Sequence, residues 1–164
     1  MTLQCMKDFH PLVTQWFAET FGQPTPAQIQ GWPPIAAGKN VLLLAPTGSG
    51  KTLAAFLKVI DRLYQEREAE DSPLNTGVKI LYISPLKALN NDIHRNLELP
   101  LQGIKNFCAR LGKDLPEISR AVRSGDTPAA ERQRMLRRPP QILITTPESL
   151  FLMLSSKAQQ IFKT

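Results

Sequence analysis

Short apolar runs separated by polar segments dominate the hydrophobic pattern of this chain. Four of them are bounded by turn residues and predict buried strands of a parallel sheet. These runs are VLLLA (41–45), KILYI (79–83), RAVRS (120–124) and QILIT (141–145). Residues 53–64 instead repeat apolar side chains at intervals of three and four, which predicts a helix with one buried face. The alternation of strand and helix indicates an α/β fold built from βαβ units.

Four predicted helix starts carry a hydroxyl residue followed by proline. The hydroxyl caps the helix, and proline is tolerated at the first helical position because its missing N–H is not needed there. The four pairs are Thr25-Pro26, Ser84-Pro85, Thr127-Pro128 and Thr146-Pro147. Three of these pairs follow a predicted strand, which places helix N-termini at the end of the sheet where α/β proteins bind anionic ligands. The polar stretch 66–77 predicts a surface loop.

The composition fits one soluble domain in the cytoplasm. The 164 residues are 42% hydrophobic and 21% charged, enough apolar material for a packed core. No run approaches the roughly 20 apolar residues of a membrane span, and the N-terminus lacks the order of a secretory signal. Cys5 and Cys108 stand far apart without a CxxC motif, so we expect neither a disulfide framework nor a zinc site.

The net charge of +6 is concentrated between residues 119 and 140, a segment that contains six arginines and two acidic residues. The arginines are Arg120, Arg123, Arg132, Arg134, Arg137 and Arg138. One interpretation is a region that holds a polyanion, and the other is a solvated helix face whose arginines serve solubility. Charge alone does not separate the two.

A glycine-rich loop, APTGSGKT from Ala45 to Thr52, lies between the first predicted strand and the following helix. Gly48 and Gly50 remove the side chains that would keep backbone N–H groups away from a phosphate. Lys51 would place its ammonium on the β and γ phosphates, and the hydroxyl of Thr52 would enter the Mg²⁺ shell. The candidate nucleotide-binding residues of the loop are Thr47, Gly48, Ser49, Gly50, Lys51 and Thr52, of which Lys51 and Thr52 are also the candidate catalytic residues. Ala45 stands where the strict pattern has glycine, a mild departure.

Five motifs narrow the choice among kinases, GTPases and motor ATPases. They read TPAQ, APTGSGKT, YISPLKALNND, VRSGDT and ITTPESL. In this order and spacing they resemble the first RecA-like domain of superfamily 2 helicases, and they are similar to the Lhr (large helicase-related) branch of the DExH proteins. The resemblance runs from about Phe9 to the last residues. It implies ATP with Mg²⁺, and a three-layer α/β/α RecA-like fold with a mostly parallel sheet.

The resemblance assigns Gln28 to the adenine of ATP. A second interpretation comes from the residues themselves, because Thr25 to Gln28 also fits a capping box in which the glutamine returns to the backbone of Thr25. An aromatic residue often flanks the adenine in this superfamily. The sequence does not place it among Phe9, Phe21 and Trp32, each of which we expect in the core.

Three motifs resemble those that hold the backbone of a nucleic-acid strand. Their candidate residues are Ser84, Pro85, Lys87, Ser124, Gly125, Asp126, Thr146, Pro147 and Glu148. Hydroxyls, helix N-termini and an ammonium converging on phosphates would bind single-stranded DNA or RNA without reading its sequence. The other interpretation treats Thr127 and Thr146 as ordinary helix caps.

Helicases of this type also need an acidic Asp-Glu-x-His motif, and no such motif occurs in these residues. We therefore interpret residues 1–164 as the N-terminal portion of the first RecA-like domain, incomplete and without the second. The alternative is a non-enzymatic remnant that binds ATP or nucleic acid weakly or not at all. In either case we expect no ATP hydrolysis by these residues alone, and an exposed edge beside residues 41–45.

Overall fold

The computed structural model describes residues 3–69, 77–85 and 87–162, with side chains for all of these except residues 67, 69 and 87–95. Its α-helices are α1 (Pro11–Phe21), α2 (Pro26–Ala36), α3 (Lys51–Ala69), α4 (Lys87–Arg110), α5 (Ala129–Arg137) and α6 (Pro147–Leu154). Its strands are β1 (Ile80–Ile83), β2 (Arg120–Arg123) and β3 (Ile142–Thr145), and two 3₁₀-helices span Gln4–Met6 and Lys157–Phe162. No helix in the described part of the chain is both long and apolar enough to cross a membrane.

The chain divides into two compact units. The first comprises Met1–Asp71 and Asn96–Pro116, and the second comprises Ser72–Arg95 and Glu117–Thr164. The glycine-rich loop belongs to the first unit, and the three motifs predicted to hold nucleic acid belong to the second. The two sets of candidate residues are therefore described separately.

Aromatic side chains form the core of the first unit. Trp32 has no exposed surface, and the rings of Phe9 and Phe17 meet it edge-on at centroid distances of 5.1 and 5.3 Å. The Trp32 indole N–H donates to the carbonyl of Ala54 at 3.0 Å, which joins α2 to α3. Phe21 differs from expectation, because 51% of it is exposed at the end of α1.

Helix α3 confirms the predicted buried face. Five of the six apolar positions of 53–64 are buried, and Leu53 is half-buried. The loop predicted from residue 66 onward begins too early, because α3 continues to Ala69. Good helix formers and an ion pair from Arg62 to Glu66, one turn apart at 2.8 Å, support this last stretch. The remainder of the predicted loop, 70–76, lies outside the described residues.

The second unit contains a parallel three-stranded sheet in the order β1-β3-β2. The central strand is buried along its whole length, as a continuous apolar run predicts. Leu143 of this strand packs with Val78, Met153 and Ile161 in a small apolar core. The strands predicted at 79–83, 120–124 and 141–145 are each confirmed to within one residue at either end.

The strand predicted at 41–45 is wrong. Residues 41–46 have no regular secondary structure, and the sheet found in the described residues does not include them. Leu42 and Leu44 are 81% and 85% exposed, whereas Leu43 lies against Gly31 of α2. The run has the apolar composition of a buried strand but not the ladder of hydrogen bonds that defines one. The exposed sheet edge expected beside this segment presupposes a strand, and the structure instead shows exposed leucine side chains.

Candidate nucleotide and nucleic-acid sites

The glycine-rich loop turns directly into a long helix. Helix α3 begins at Lys51, and both Gly48 and Gly50 have positive φ angles, 81° and 80°. Side chains other than glycine rarely adopt such angles, so the two glycines permit the tight turn that precedes the helix. The amide of Ser49 donates to the carbonyl of Pro46 at 3.3 Å, closing the turn.

The ammonium of Lys51 lies over the loop itself. It donates to the carbonyl oxygens of Ala45 and of Pro46, the latter at 2.7 Å. A phosphate placed over the loop would compete with these neutral acceptors, and pairs of opposite charge form the stronger hydrogen bonds. The lysine is thus already positioned at the mouth of the loop, on acceptors that an anion can replace.

Two further observations fit an anionic group at the loop. The hydroxyl oxygen of Ser49 is buried and has no hydrogen-bond partner within the described part of the chain, an uncommon situation that a ligand or water would relieve. A Cβ atom added to Gly48 would meet no atom within 4 Å, so the loop is open on that side. The residues present therefore fit the phosphates of a nucleotide.

Residues at the start of α2 form hydrogen bonds with the glycine-rich loop. Thr25 and Gln28 form the predicted capping box, with the Thr25 hydroxyl accepting from the Gln28 amide and the Gln28 side chain accepting from the Thr25 amide. The same side chains reach the loop: the Thr25 hydroxyl donates to the Ser49 carbonyl at 2.8 Å, and Gln28 Nε2 donates to the Gly50 carbonyl at 3.5 Å. The capping interpretation of Gln28 is confirmed, and its contact with adenine stays a prediction.

The three predicted strand-binding motifs begin at one end of the sheet. Ile83 and Arg123 are both in register with Thr145 of the central strand. Ser84, Ser124 and Thr146, the residues that follow, therefore lie side by side at the carboxyl ends of adjacent parallel strands, about 4.8 Å apart per strand. The Ser84 amide donates to the Thr145 carbonyl at 2.9 Å, and the Thr145 hydroxyl donates to the Arg123 carbonyl at 2.6 Å. The structure brings these motifs together.

The candidate residues of these motifs differ in their exposure to solvent. The side chains of Ser84 and Thr146 are 1% and 4% exposed. The exposed members are Pro85, Gly125, Asp126, Pro147 and Glu148, and Ser124 is half-buried. The helix that follows Ser84 begins at Lys87, whose side chain lies outside the described residues. A strand passing over this end of the sheet would meet the exposed group first.

Helices α5 and α6, which begin near this row, differ in how they are capped. Thr146 caps α6, as predicted: its hydroxyl accepts from the Ser149 amide at 3.3 Å, with proline at the first helical position. Thr127 does not cap α5, because that helix begins one residue later, with Pro128 as its N-cap and no side-chain cap bond. The Thr127 hydroxyl instead accepts from the Ser124 amide and donates to the Val122 carbonyl.

The arginine-rich region separates into two groups. Arg134, Arg137 and Arg138 are exposed on and just after α5, as the solvated-face interpretation predicts. Arg132 is half-buried and donates to two carbonyls of the loop before α5, an arrangement that sequence reasoning missed. No group of three or more His, Cys, Asp or Glu side chains that could hold a metal ion occurs among the described residues.

Comparison with known proteins agrees with this geometry. The sequence model of the DEAD/DEAH box helicases matches residues 25–164. The chain is 54% identical over 145 residues to the ATP-dependent helicase Lhr-Core of Methanothermobacter thermautotrophicus, covering 88% of this chain and 16% of that protein. It is 47% identical over 157 residues to the Lhr helicase/uracil glycosylase of Escherichia coli, covering 94% of this chain and 10% of that protein.

A solved structure gives the same result for the fold. The structure of Mycobacterium smegmatis helicase Lhr bound to ssDNA and AMP-PNP matches with a TM-score of 0.86 and 50% identity, over 96% of this chain and 19% of that one. The fold is therefore an incomplete α/β RecA-like fold, similar to that of Lhr helicases. The chain spans only 10% to 19% of the length of these relatives. From the extent of the family match and the ordered motifs, we conclude that this chain belongs to the DEAD/DEAH box helicase family.

Proposed function

We propose that residues 1–164 are the N-terminal portion of the first RecA-like domain of an ATP-dependent, Lhr-type helicase. In this proposal residues 47–52 and Gln28 hold ATP, with Lys51 on the β and γ phosphates and the Thr52 hydroxyl toward Mg²⁺. The observation that carries the proposal is the tight turn at Gly48 and Gly50, open on the side of Gly48, with Lys51 donating to the carbonyls at its mouth. The AMP-PNP bound to the related M. smegmatis structure supports it.

ATP bound here would supply the phosphoanhydride whose hydrolysis powers a helicase. The chain's own residues supply binding: two glycines that admit the phosphates, an ammonium that neutralises their charge, and a helix N-terminus that favours anions. These residues contain no Asp-Glu-x-His motif to orient an attacking water. We therefore assign nucleotide binding, and not turnover, to residues 1–164 by themselves.

The second part of the proposal concerns nucleic acid. The aligned ends of the three strands would carry single-stranded DNA or RNA, held through its backbone and not its bases. The candidate residues for this contact are Ser84, Pro85, Lys87, Ser124, Gly125, Asp126, Thr146, Pro147 and Glu148. The ssDNA in the related M. smegmatis structure supports this assignment. A cytoplasmic location fits it and stays a prediction.

Titration with AMP-PNP and Mg²⁺ tests the nucleotide site. We expect Lys51→Ala to weaken binding by at least about tenfold, because a hydrogen bond between an ammonium and a phosphate anion is lost. Lys39→Ala is the matched control, since Lys39 is an exposed lysine of the same unit outside the loop. Calorimetry would measure both affinities, and equal binding by Lys51→Ala and the unaltered chain would refute the site.

A further inference from the structure

The loop between β2 and α5, residues 124–128, satisfies most of its own backbone amides. The Ser124 amide donates to the Thr127 hydroxyl at 2.9 Å, and the Thr127 amide donates to the Ser124 carbonyl at 3.2 Å. The Asp126 amide donates to the Ser124 hydroxyl at 3.4 Å. These amides are engaged inside the loop, so they are not the groups that a phosphate would meet first. Three carbonyl oxygens of the loop accept from arginine side chains instead.

Arg132 occupies two of those carbonyls. Its Nε donates to the Thr127 carbonyl at 2.6 Å, and one terminal nitrogen donates to the Gly125 carbonyl at 2.7 Å. Arginine is suited to this because its donors are fixed in one plane and can bind two acceptors at once. The Arg132 amide also donates to the Pro128 carbonyl at 3.0 Å, which fixes the first turn of α5 to the same loop.

A second guanidinium approaches from the strand. Arg123 donates to the Ser124 carbonyl at 3.4 Å. Burial, and then the nearby charge of Arg132, lower the pKa of the Arg123 guanidinium. The carbonyls of residues 124, 125 and 127 thus all accept a hydrogen bond from an arginine side chain.

Arg132 therefore differs from the other arginines of α5. Its side chain is half-buried and two of its nitrogens are directed inward onto carbonyls, whereas Arg134 is exposed. An arginine that bound phosphate directly would direct its planar donors outward, as is typical of protein–nucleic-acid contacts. The inward geometry is that of a support for the loop.

We propose that Arg132 is a positioning residue for nucleic-acid binding, holding Ser124 to Thr127 in the shape that contacts the strand. This rests on the proposed assignment of these residues to a nucleic-acid site. The role depends on the forked shape of the guanidinium and not on its charge. A lysine at this position keeps the charge but cannot hold both carbonyls in the same planar way.

The test compares Arg132→Lys with Arg134→Lys, a matched control on the same helix. Amide hydrogen exchange of the chain without ligand reports on the loop directly. We expect exchange of the amides of residues 124–127 to become at least roughly fivefold faster in Arg132→Lys and to stay unchanged in Arg134→Lys. The central strand, 142–145, is the internal reference and should keep its protection in both.

Fluorescence anisotropy with labelled oligo-dT reports on function. We expect Arg132→Lys to weaken binding about tenfold while the slope of log affinity against log salt is unchanged, because the number of charges is the same. Arg134→Lys should bind like the unaltered chain. The pair of readouts separates support of the loop from direct contact with phosphate.

Three other outcomes would refute either this inference or the nucleic-acid assignment on which it rests. Oligo-dT binding by Arg132→Lys equal to that of the unaltered chain would refute the inference and leave the proposed function standing. Faster exchange in 142–145 as well as in the loop would show a general structural role and also refute it. Failure of the unaltered chain to bind oligo-dT would refute the nucleic-acid assignment on which the inference rests.

Discussion

Asp61 on α3 has no exposed surface, yet its carboxylate accepts hydrogen bonds from three different donors. The backbone amide of His10 reaches one oxygen at 2.6 Å, and Lys58 Nζ and Gln65 Nε2 reach the other at 2.7 and 3.0 Å. Lys58 also donates to the Asp8 carbonyl at 2.6 Å, so the pair connects the segment before α1 to the helix that follows the glycine-rich loop. The three donors offset part of the cost of burying this carboxylate.

Replacing Asp61 by asparagine should therefore destabilise the protein strongly. The change removes the negative partner of Lys58 while leaving the ammonium buried, and breaking a buried pair from one side costs about 3 kcal/mol. We expect the free energy of unfolding to fall by about that amount in urea denaturation. The matched control is Glu66→Gln, which breaks the exposed Arg62–Glu66 pair on the same helix and should cost about 0.5 kcal/mol or less. Similar losses in the two variants would contradict this account.

The same carboxyl should give stability a defined dependence on pH. Burial raises the pKa of Asp61 above its ordinary value of 3.8, although the hydrogen bonds from Lys58 and His10 act in the opposite direction. The folded state thus holds this proton more tightly than the unfolded chain. The stability that comes from this tighter proton binding is therefore full below pH 3.8, and it is lost as the pH rises through the higher folded pKa.

We expect the difference in unfolding free energy between the unaltered chain and Asp61→Asn to widen as the pH falls from about 7 toward about 4. Denaturation curves at several pH values would measure it, with Glu66→Gln again as the reference for charges that are not buried. A difference that narrows toward acid would show that the carboxyl is held more strongly in its ionised form.

At the level of elements, the contact between α2 and the glycine-rich loop gives the two loop glycines different surroundings. Both have positive φ, but a Cβ on Gly50 would lie 2.7 Å from Gln28 Nε2, whereas one on Gly48 would meet nothing within 4 Å. Gly48→Ala should cost about 1 kcal/mol for backbone strain alone. Gly50→Ala should cost about 2 kcal/mol, because Gln28 must also give up its place over the loop.

Thermal or urea denaturation of the two alanine variants measures this difference. Adding Gln28→Ala to Gly50→Ala should recover the part of the loss that comes from the clash, since the displaced amide is then absent. Equal costs at the two glycines would indicate that the capping box does not brace the loop.

These elements also show what the sequence can and cannot predict. The caps at Thr25 and Thr146 were predictable because a cap depends on residues within one turn of it. The cap predicted at Thr127 is absent, because its hydroxyl accepts from the Ser124 amide and donates to the Val122 carbonyl. The pattern of residues 41–45 predicts burial, but a strand also needs a partner, and apolar composition carries no information about that partner.

In the candidate sites, too, the sequence predicts local motifs but not contacts between distant residues. Gly48, Gly50 and Lys51 could be identified from spacing, because phosphate chemistry demands those residue types in that order. The bond from Thr25 to Ser49 joins residues far apart in sequence, and no periodicity reveals it. Arg132 was one of six arginines in a basic region, and only its contacts with Gly125 and Thr127 distinguish it.

For the whole molecule, the net charge of +6 predicts how binding responds to salt. If each of the three aligned motifs neutralises one phosphate of a single strand, affinity should fall about tenfold or more between roughly 50 and 200 mM salt. Contacts to the backbone should also make the affinity nearly independent of base sequence. Anisotropy titrations with oligo-dT and with a mixed sequence of equal length would measure both. Affinity that is flat in salt, or that strongly prefers one sequence, would count against the nucleic-acid interface.

Synthesis from the N-terminus delivers the strands of the sheet in the order β1, β2, β3, but in the described part of the chain hydrogen bonds join β1 to β3 and β2 to β3, and not β1 to β2. Neither of the earlier strands can enter the ladder until Ile142 to Thr145 has left the ribosome. At a synthesis rate of roughly 5 to 20 residues per second, the backbone groups of β1 stay unpaired for several seconds, in contact with water or with chaperones. The strand made last of the three is the one on which all the pairing depends, so this sheet forms in a single late step and not strand by strand.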